Sequence, residues 1–403
     1  MPIYPLKNKI QTYAWGSKTA IAELLGSPSP ADVPQAELWM GTHPKGPSSV
    51  VAAGEQSSLS ALIGRQPAAL LGRSVVDRFG PELPFLFKVL AAAHPLSIQA
   101  HPDKKQAKEG FGREEREGIP VDAPHRNYRD ENHKPEIICA LTPFWGLNGF
   151  RPVKTIVSLL TPVFPKSLEK DLSELKTAGP QGLRAFFAAL MTLSQKERSM
   201  AVKEIHEKAK ALAGTSSVYY WMEKLAAFYP SDMGSLGPGL LQLVCLSPGQ
   251  AMYLPAGQLH AYLDGVGIEL MANSDNVLRG GLTTKHVDVP ELLRVVRFEE
   301  TEIRILEPVQ LKDSSSGYEC PAKEFTLSII QTDGERCYRS PSTRSVEILL
   351  CTEGRGTIDS GATNESAAVQ QGDSFLIPAG LPFYTIRGHT TIYKASVPIP
   401  AGI

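Results

Sequence analysis

Three segments far apart in the chain carry side chains that together suit a divalent cation: Ser97-Ile98-Gln99-Ala100-His101-Pro102, Asn132-His133-Lys134-Pro135-Glu136 and Leu254-Pro255-Ala256-Gly257-Gln258-Leu259-His260. Imidazole nitrogen together with carboxylate or amide oxygen is a donor set for first-row divalent metals, and a metal held this way polarises oxygen substituents of a bound substrate.

Those donors need elements that turn them to one point. Apolar Leu96, Ile98 and Ala100 alternate with Ser97, Gln99 and His101, which predicts a strand with all three polar groups on one face. Lys134 precedes a proline and is pushed towards extended backbone, so Lys134 and Glu136 share a face and Ile137 opposes them. Taken alone, Gln99 and His101 read more readily as a solvated sheet face, and Pro-Ala-Gly with a nearby histidine is common loop chemistry. Facing inward together, the rows meet at one ion.

A chain of 403 residues has room for two or three domains, and 42% hydrophobic with 21% charged residues is an ordinary soluble composition. The net charge of -1, without a Lys/Arg tract, argues against nucleic acid or an anionic membrane as partner. Cys139, Cys245, Cys320, Cys337 and Cys351 form no CxxC pair and sit mostly in apolar runs, so they read as reduced, small hydrophobes. Met1-Pro2-Ile3-Tyr4-Pro5 lacks the basic start and apolar stretch of a signal peptide, and no run approaches membrane-spanning length. A cytoplasmic chain that acts as a monomer is the expectation.

To about Pro152, short apolar runs punctuated by Gly, Pro, Asn and Asp predict a largely β domain, with the polar stretch from Asp103 to Asn132 as a solvated helix or loop. Between about Val153 and Asp232 the period changes. Leu183, Phe186, Phe187 and Leu190 recur at helical spacing, Ser194-Gln195-Lys196-Glu197 has the form of a capping box, and Val218, Trp221, Met222, Leu225 and Phe228 end just before Pro230. The β pattern then resumes with an internal echo: Gly249 to His260 aligns without a gap on Gly372 to Phe383 around a shared Pro-Ala-Gly. His260 aligns with Phe383, so a ligand type present in the first copy is missing from the second. The expected architecture is mainly β: a discontinuous metal-binding domain (1–152 with 233–315), an all-helical insert (153–232) and a C-terminal β domain of the same kind without ligands (316–403).

Further segments make a family resemblance specific: Tyr13-Ala14-Trp15-Gly16, Ala36-Glu37-Leu38-Trp39-Met40-Gly41-Thr42-His43-Pro44, Leu83-Pro84-Phe85-Leu86-Phe87-Lys88, and Glu269-Leu270-Met271-Ala272-Asn273-Ser274-Asp275-Asn276-Val277-Leu278-Arg279-Gly280-Gly281. In this order, together with the three ligand segments, they resemble the type I mannose-6-phosphate isomerases of bacteria. These are zinc enzymes of the cupin superfamily, built on jelly-roll β-barrels. The resemblance implies one Zn²⁺ per chain, held by Gln99, His101, Glu136 and His260, and a small phosphosugar as substrate. Four ligands, two of them oxygen donors, leave room for substrate only at five- or six-coordination, which leaves Mn²⁺ or Co²⁺ as possible substitutes.

The implied reaction moves a carbonyl between C1 and C2 of an open-chain hexose 6-phosphate, through an enediolate whose charge needs a cation beside it. Arg279 is the candidate for that support. Lys134, His133, Glu269 and Asp275 are candidates for the proton transfer, and Ser97, Lys88, Lys285 and Trp15 for substrate binding. Lys88 interrupts an apolar strand and is either paired with an acid or waiting for an anion; the reading favours the anion. A non-haem oxygenase fits less well because Gln99 adds a fourth ligand, and a sugar-sensing regulator lacks a DNA-reading module. The nearest alternative is a cupin glucose-6-phosphate isomerase. Mannose breakdown and the supply of activated mannose both remain open as the pathway.

Overall fold

In a computed structural model of the chain, residues 1–52, 55–361 and 365–399 are described. Among them the named strands pair antiparallel in one ten-stranded and one eleven-stranded sheet. The alternation read in the ligand segments runs through the ten-stranded sheet. Phe87, Val89 and Ala91 of Phe85–Ala92, Ile137 and Cys139 of Glu136–Ala140, and Ile268 and Leu270 of His260–Ala272 share a core with Leu327, Ile348 and Leu350 of the eleven-stranded sheet. Ile137, Ile268 and Leu270 are fully buried there, and each contributes about 1.5–3 kcal/mol through burial. The intervening Lys88, Glu136 and Glu269 are thereby turned to the opposite face.

A second core does the same for the other ligand segments. Ile98, Ala100, Leu147 and Ala261 pack against helices Val153–Leu160, Leu183–Thr192 and Ser217–Phe228, so Gln99 and His260 are turned away from the helices. The strand His260–Ala272 joins the two halves. Its start pairs with Phe144–Phe150 and Ile98–Ala100, and its end pairs with Phe85–Ala92 and Glu136–Ala140. The change of partner falls around Gly265, where φ is +120° and an added Cβ would lie 2.6 Å from the Pro143 carbonyl oxygen.

The sequence echo is a structural repeat. Ala251–Leu254 and His260–Ala272 match Ser374–Ile377 and Tyr384–Ser396 in length, and Gly388, aligned with Gly265, has φ +111°. The expected capping box forms at Ser194, whose hydroxyl accepts from the Glu197 amide while Glu197 accepts from the Ser194 amide at 2.8 Å. The polar stretch after Asp103 contains the helix Lys104–Arg116.

Two expected boundaries shift. Tyr4–Lys7 pairs with Ser374–Ile377 and with Ser49–Ala52, so the start of the chain lies in the eleven-stranded sheet with the C-terminal residues. Helical structure also continues past 232 to Gly237–Leu240. Both depend on long-range pairing and packing that local periodicity does not report. No helix among the described residues is long and apolar enough to cross a membrane.

Candidate metal centre

The two inward rows meet. His260 pairs in register with Gln99, Gln99 with Arg279, and Met271 with Glu136, which brings residues more than a hundred positions apart to one place. His101 Nε2 lies 3.5 Å from Glu136 Oε1, and His260 Nε2 lies 3.3 Å from Glu136 Oε2. Both ring nitrogens and Glu136 Oε2 are buried without a hydrogen-bond partner. Burying three polar atoms unpaired is costly. Two donors each about 2.1 Å from one zinc are about 3.0–3.6 Å apart for ligand angles of about 90–120°, so the observed separations fit a shared ion.

The surroundings fix the donors in the form a metal needs. His101 Nδ1 donates to the Asn276 carbonyl at 2.7 Å and His260 Nδ1 to the Gln258 carbonyl at 2.9 Å; a carbonyl only accepts, so the protons sit on Nδ1 and the Nε2 lone pairs are free. Burial, helped by the Lys134 charge, holds the His101 imidazole down to about 4, which keeps it neutral. Burial pushes the Glu136 carboxyl up, but Lys134 Nζ at 2.8 Å and the neighbouring imidazoles outweigh it and hold the group well below the usual range. Among the described residues, His101, Glu136 and His260 are the one His/Cys/Asp/Glu group arranged for an ion; none is found in the C-terminal repeat.

A cavity of about 640 Å³ opens onto this group, with Gln99, Lys134 and Glu136 in its wall. Arg279, Lys285, Ser97 and Trp15 also line it, and Trp15 stacks on Tyr13 at 5.8 Å. Burial and then Arg129 lower the affinity of Arg279 for its proton, and burial, Arg279 and Arg129 do the same for Lys285. This end of the cavity is therefore cationic and short of counter-ions.

Three expectations need correction. Lys88 is on the cavity wall but is no vacant anion site: its amine donates to Glu269 at 2.7 Å and lies 3.6 Å from Glu37, and these carboxylates outweigh burial and raise its affinity for the proton. His133 does not reach the cavity, because alternation turns it away from Lys134 and its Nε2 lies 2.8 Å from Glu324 Oε1. Asp275 lines a separate cavity of about 830 Å³, tied to His43 at 3.2 Å and Lys45 at 2.6 Å. Glu269 does line the metal cavity; burial, then Glu136 and Glu37, raise its carboxyl against the pull of Lys88, and Tyr262 donates to it at 2.9 Å.

Residues 3–153 match the family model described as phosphomannose isomerase type I, catalytic domain. The mannose-6-phosphate isomerase of Escherichia coli K12 is 42% identical over 387 residues, 95% of this chain and 97% of its own. The chain belongs to the type I phosphomannose isomerase family. The human mannose-6-phosphate isomerase is 36% identical over 94% of this chain and 93% of its own. A crystal structure of the Salmonella typhimurium enzyme, bound to fructose 6-phosphate and zinc, is similar with a TM-score of 0.90 and 38% identity, covering 98% of this chain and all of that one. A zinc-bound mannose 6-phosphate isomerase structure reaches the same TM-score at 39% identity.

Several residues of the cavity wall were not singled out from the sequence. Glu37, Tyr262, Phe228 and Tyr229 line the cavity. Glu37 and Tyr262 lie on inward strand positions, a signal that alternation could have given. Phe228, at the end of Ser217–Phe228, reads from the sequence as part of a helix core stripe, and Tyr229 caps that helix; their place on the cavity wall comes from how the helix docks.

Proposed function

We propose that this chain is a zinc-dependent aldose-ketose isomerase that interconverts mannose 6-phosphate and fructose 6-phosphate. The observation that carries the reading is the buried trio of unpartnered donors on His101, Glu136 and His260, opening onto a cavity with a cationic end. Gln99, on the same cavity wall and in register with His260, completes the ligand set. When bound, zinc supplies Lewis-acid polarisation of the sugar oxygens at C1 and C2.

The protein groups do the rest. Arg279 faces the same space as Gln99 and offers a guanidinium to the developing enediolate charge. Lys285, with Ser97 and Thr283 nearby on the wall, holds the phosphate by charge and hydroxyl donors. Lys134 and Glu269 remain as candidates to carry the proton between C1 and C2, since both line the cavity and His133 and Asp275 do not. Burial raises the Glu269 carboxyl, the direction that favours a proton carrier, and the Lys88 amine at 2.7 Å holds it in place. Trp15 and Phe228 restrict water at the mouth.

Domain roles follow the same reading: a cupin barrel carrying the zinc, a helical insert that supplies part of the cavity mouth, and a C-terminal cupin barrel whose lack of ligands leaves it structural. The chain works as a single cytoplasmic copy on a small phosphosugar.

A coupled assay of fructose 6-phosphate formation tests the function. Activity with mannose 6-phosphate should vanish on chelation and return with zinc. A zinc-loaded protein that turns over glucose 6-phosphate in place of mannose 6-phosphate would identify the glucose isomerase alternative.

A further inference from the structure

We infer that Asn276 is a positioning residue for the metal site, a clip that locks the loop orienting His101 to the segment that leads into Lys134 and Glu136; the inference rests on the zinc reading above. The Asn276 side chain is completely buried and every bond its amide makes goes to one short segment. Its Oδ1 accepts from the amides of Arg129 at 2.7 Å and Asp130 at 3.2 Å, and its Nδ2 donates to the carbonyls of Asp130 and Asn132, both at 2.8 Å, and to the Asp130 carboxylate at 3.3 Å. Two backbone donors face the oxygen and two carbonyls face the nitrogen, so only this amide orientation is satisfied. All five of these bonds go to residues 129–132 and serve the same purpose.

The backbone of the same residue orients a candidate ligand, because its carbonyl takes the Nδ1 proton of His101. Asp130 returns the connection. Its carboxylate accepts from the Asp275 amide at 2.8 Å, the Ser274 hydroxyl at 2.9 Å and the Asn132 amide at 2.8 Å. Loop 273–276 and segment 129–132 thus form one rigid unit with three outlets: His101 through the Asn276 carbonyl, Lys134 and Glu136 directly downstream of Asn132, and Arg279 three residues beyond Asn276. Neither Asn276 nor Asp130 lines the metal cavity. Their effect on the site must pass through the residues they hold.

The direct test is zinc affinity, measured by competition with a chromophoric chelator, on wild type, Asn276→Asp and Asp130→Asn. Asn276→Asp keeps the shape but sets an anionic oxygen against the carbonyls of Asp130 and Asn132. Both variants are expected to weaken zinc binding about 10–100-fold while far-ultraviolet circular dichroism stays that of wild type. Kinetically, kcat at saturating zinc should fall more than KM for mannose 6-phosphate rises, since the phosphate end is untouched. Should Asn276→Asp fail to fold, Ser274→Ala removes the hydroxyl that donates to Asp130 and the Asn132 carbonyl and accepts from the Asn276 amide, leaves the Asn276 side chain in place, and is expected to show a smaller loss of the same kind. Zinc affinity within about 2-fold of wild type in every folded variant would overturn the inference and leave the isomerase reading intact. Wild-type protein that does not bind zinc would overturn both.

Discussion

Glu136→Gln is the most informative single change, because Glu136 takes part in two separable interactions. Its carboxylate lies between the two imidazole nitrogens, at 3.5 and 3.3 Å, and 2.8 Å from Lys134 Nζ, in a site where Glu136 is 1% exposed. The amide removes one negative charge without changing shape. At 2.8 Å, the Lys134 attraction is about 6 kcal/mol gross with an effective dielectric of about 20. Desolvation offsets part of this, so leaving Lys134 buried alone costs about 3–5 kcal/mol. The metal-free variant should therefore unfold at lower denaturant than wild type, and adding Lys134→Met should recover much of the loss, which a double-mutant cycle quantifies. In the zinc-bound protein the ligand charge is lost as well, and zinc affinity should fall by more than about 100-fold, beyond what a change outside the ligand shell produces. Chelator competition and urea unfolding, with and without zinc, read the two effects apart. Zinc affinity within about 3-fold of wild type would refute the placement of the metal at this trio. A stability loss that Lys134→Met fails to repair would refute the isolated-charge argument.

Other consequences are as concrete. Arg279→Ala should lower kcat by about 10²–10³-fold with zinc content intact, as expected for loss of one preorganised charge at the enediolate; turnover within a few-fold of wild type would remove it from that role. Lys88→Met strands Glu269 and Glu37 in the wall, so it should cost about 3–5 kcal/mol of stability and depress kcat, whereas a change confined to KM would restore the anion-binding role. Asp275, held well below the carboxylate range because its His43 and Lys45 bonds outweigh burial, stabilises the fold fully above the ordinary Asp value near 4. Below that pH the unfolded chain binds more protons than the native one, so the contribution falls as pH drops. The stability gap between wild type and Asp275→Asn, measured by urea unfolding, should shrink from pH 6 to pH 3.

Much of the site was legible because its information is local. Period-two alternation placed Gln99 with His101 and Lys134 with Glu136, and set Ile137 opposite, which is how they stand. The echo of Pro-Ala-Gly marked two copies of one strand pair, and the His260-to-Phe383 exchange marked the copy that lacks a ligand type. Helical spacing and the Ser194 box marked the helices. Each of these follows from the geometry of a single strand or turn, which a dozen residues determine.

Tertiary structure decided what pairs with what. Lys88 looked vacant in its apolar strand, but register sets it directly opposite Glu269, and the neighbouring strand adds Glu37. His133 and Asp275 have the chemistry of proton carriers; alternation already turns His133 away from Lys134, and the packing of Glu324 against His133 and of His43 and Lys45 against Asp275 engages both elsewhere. The start of the chain joins the C-terminal sheet, and a helix tip brings Phe228 to the cavity wall. The reason is general: side-chain direction is a local property with period two or 3.6, whereas the partner of a buried charge is set by register and packing between segments far apart in the chain.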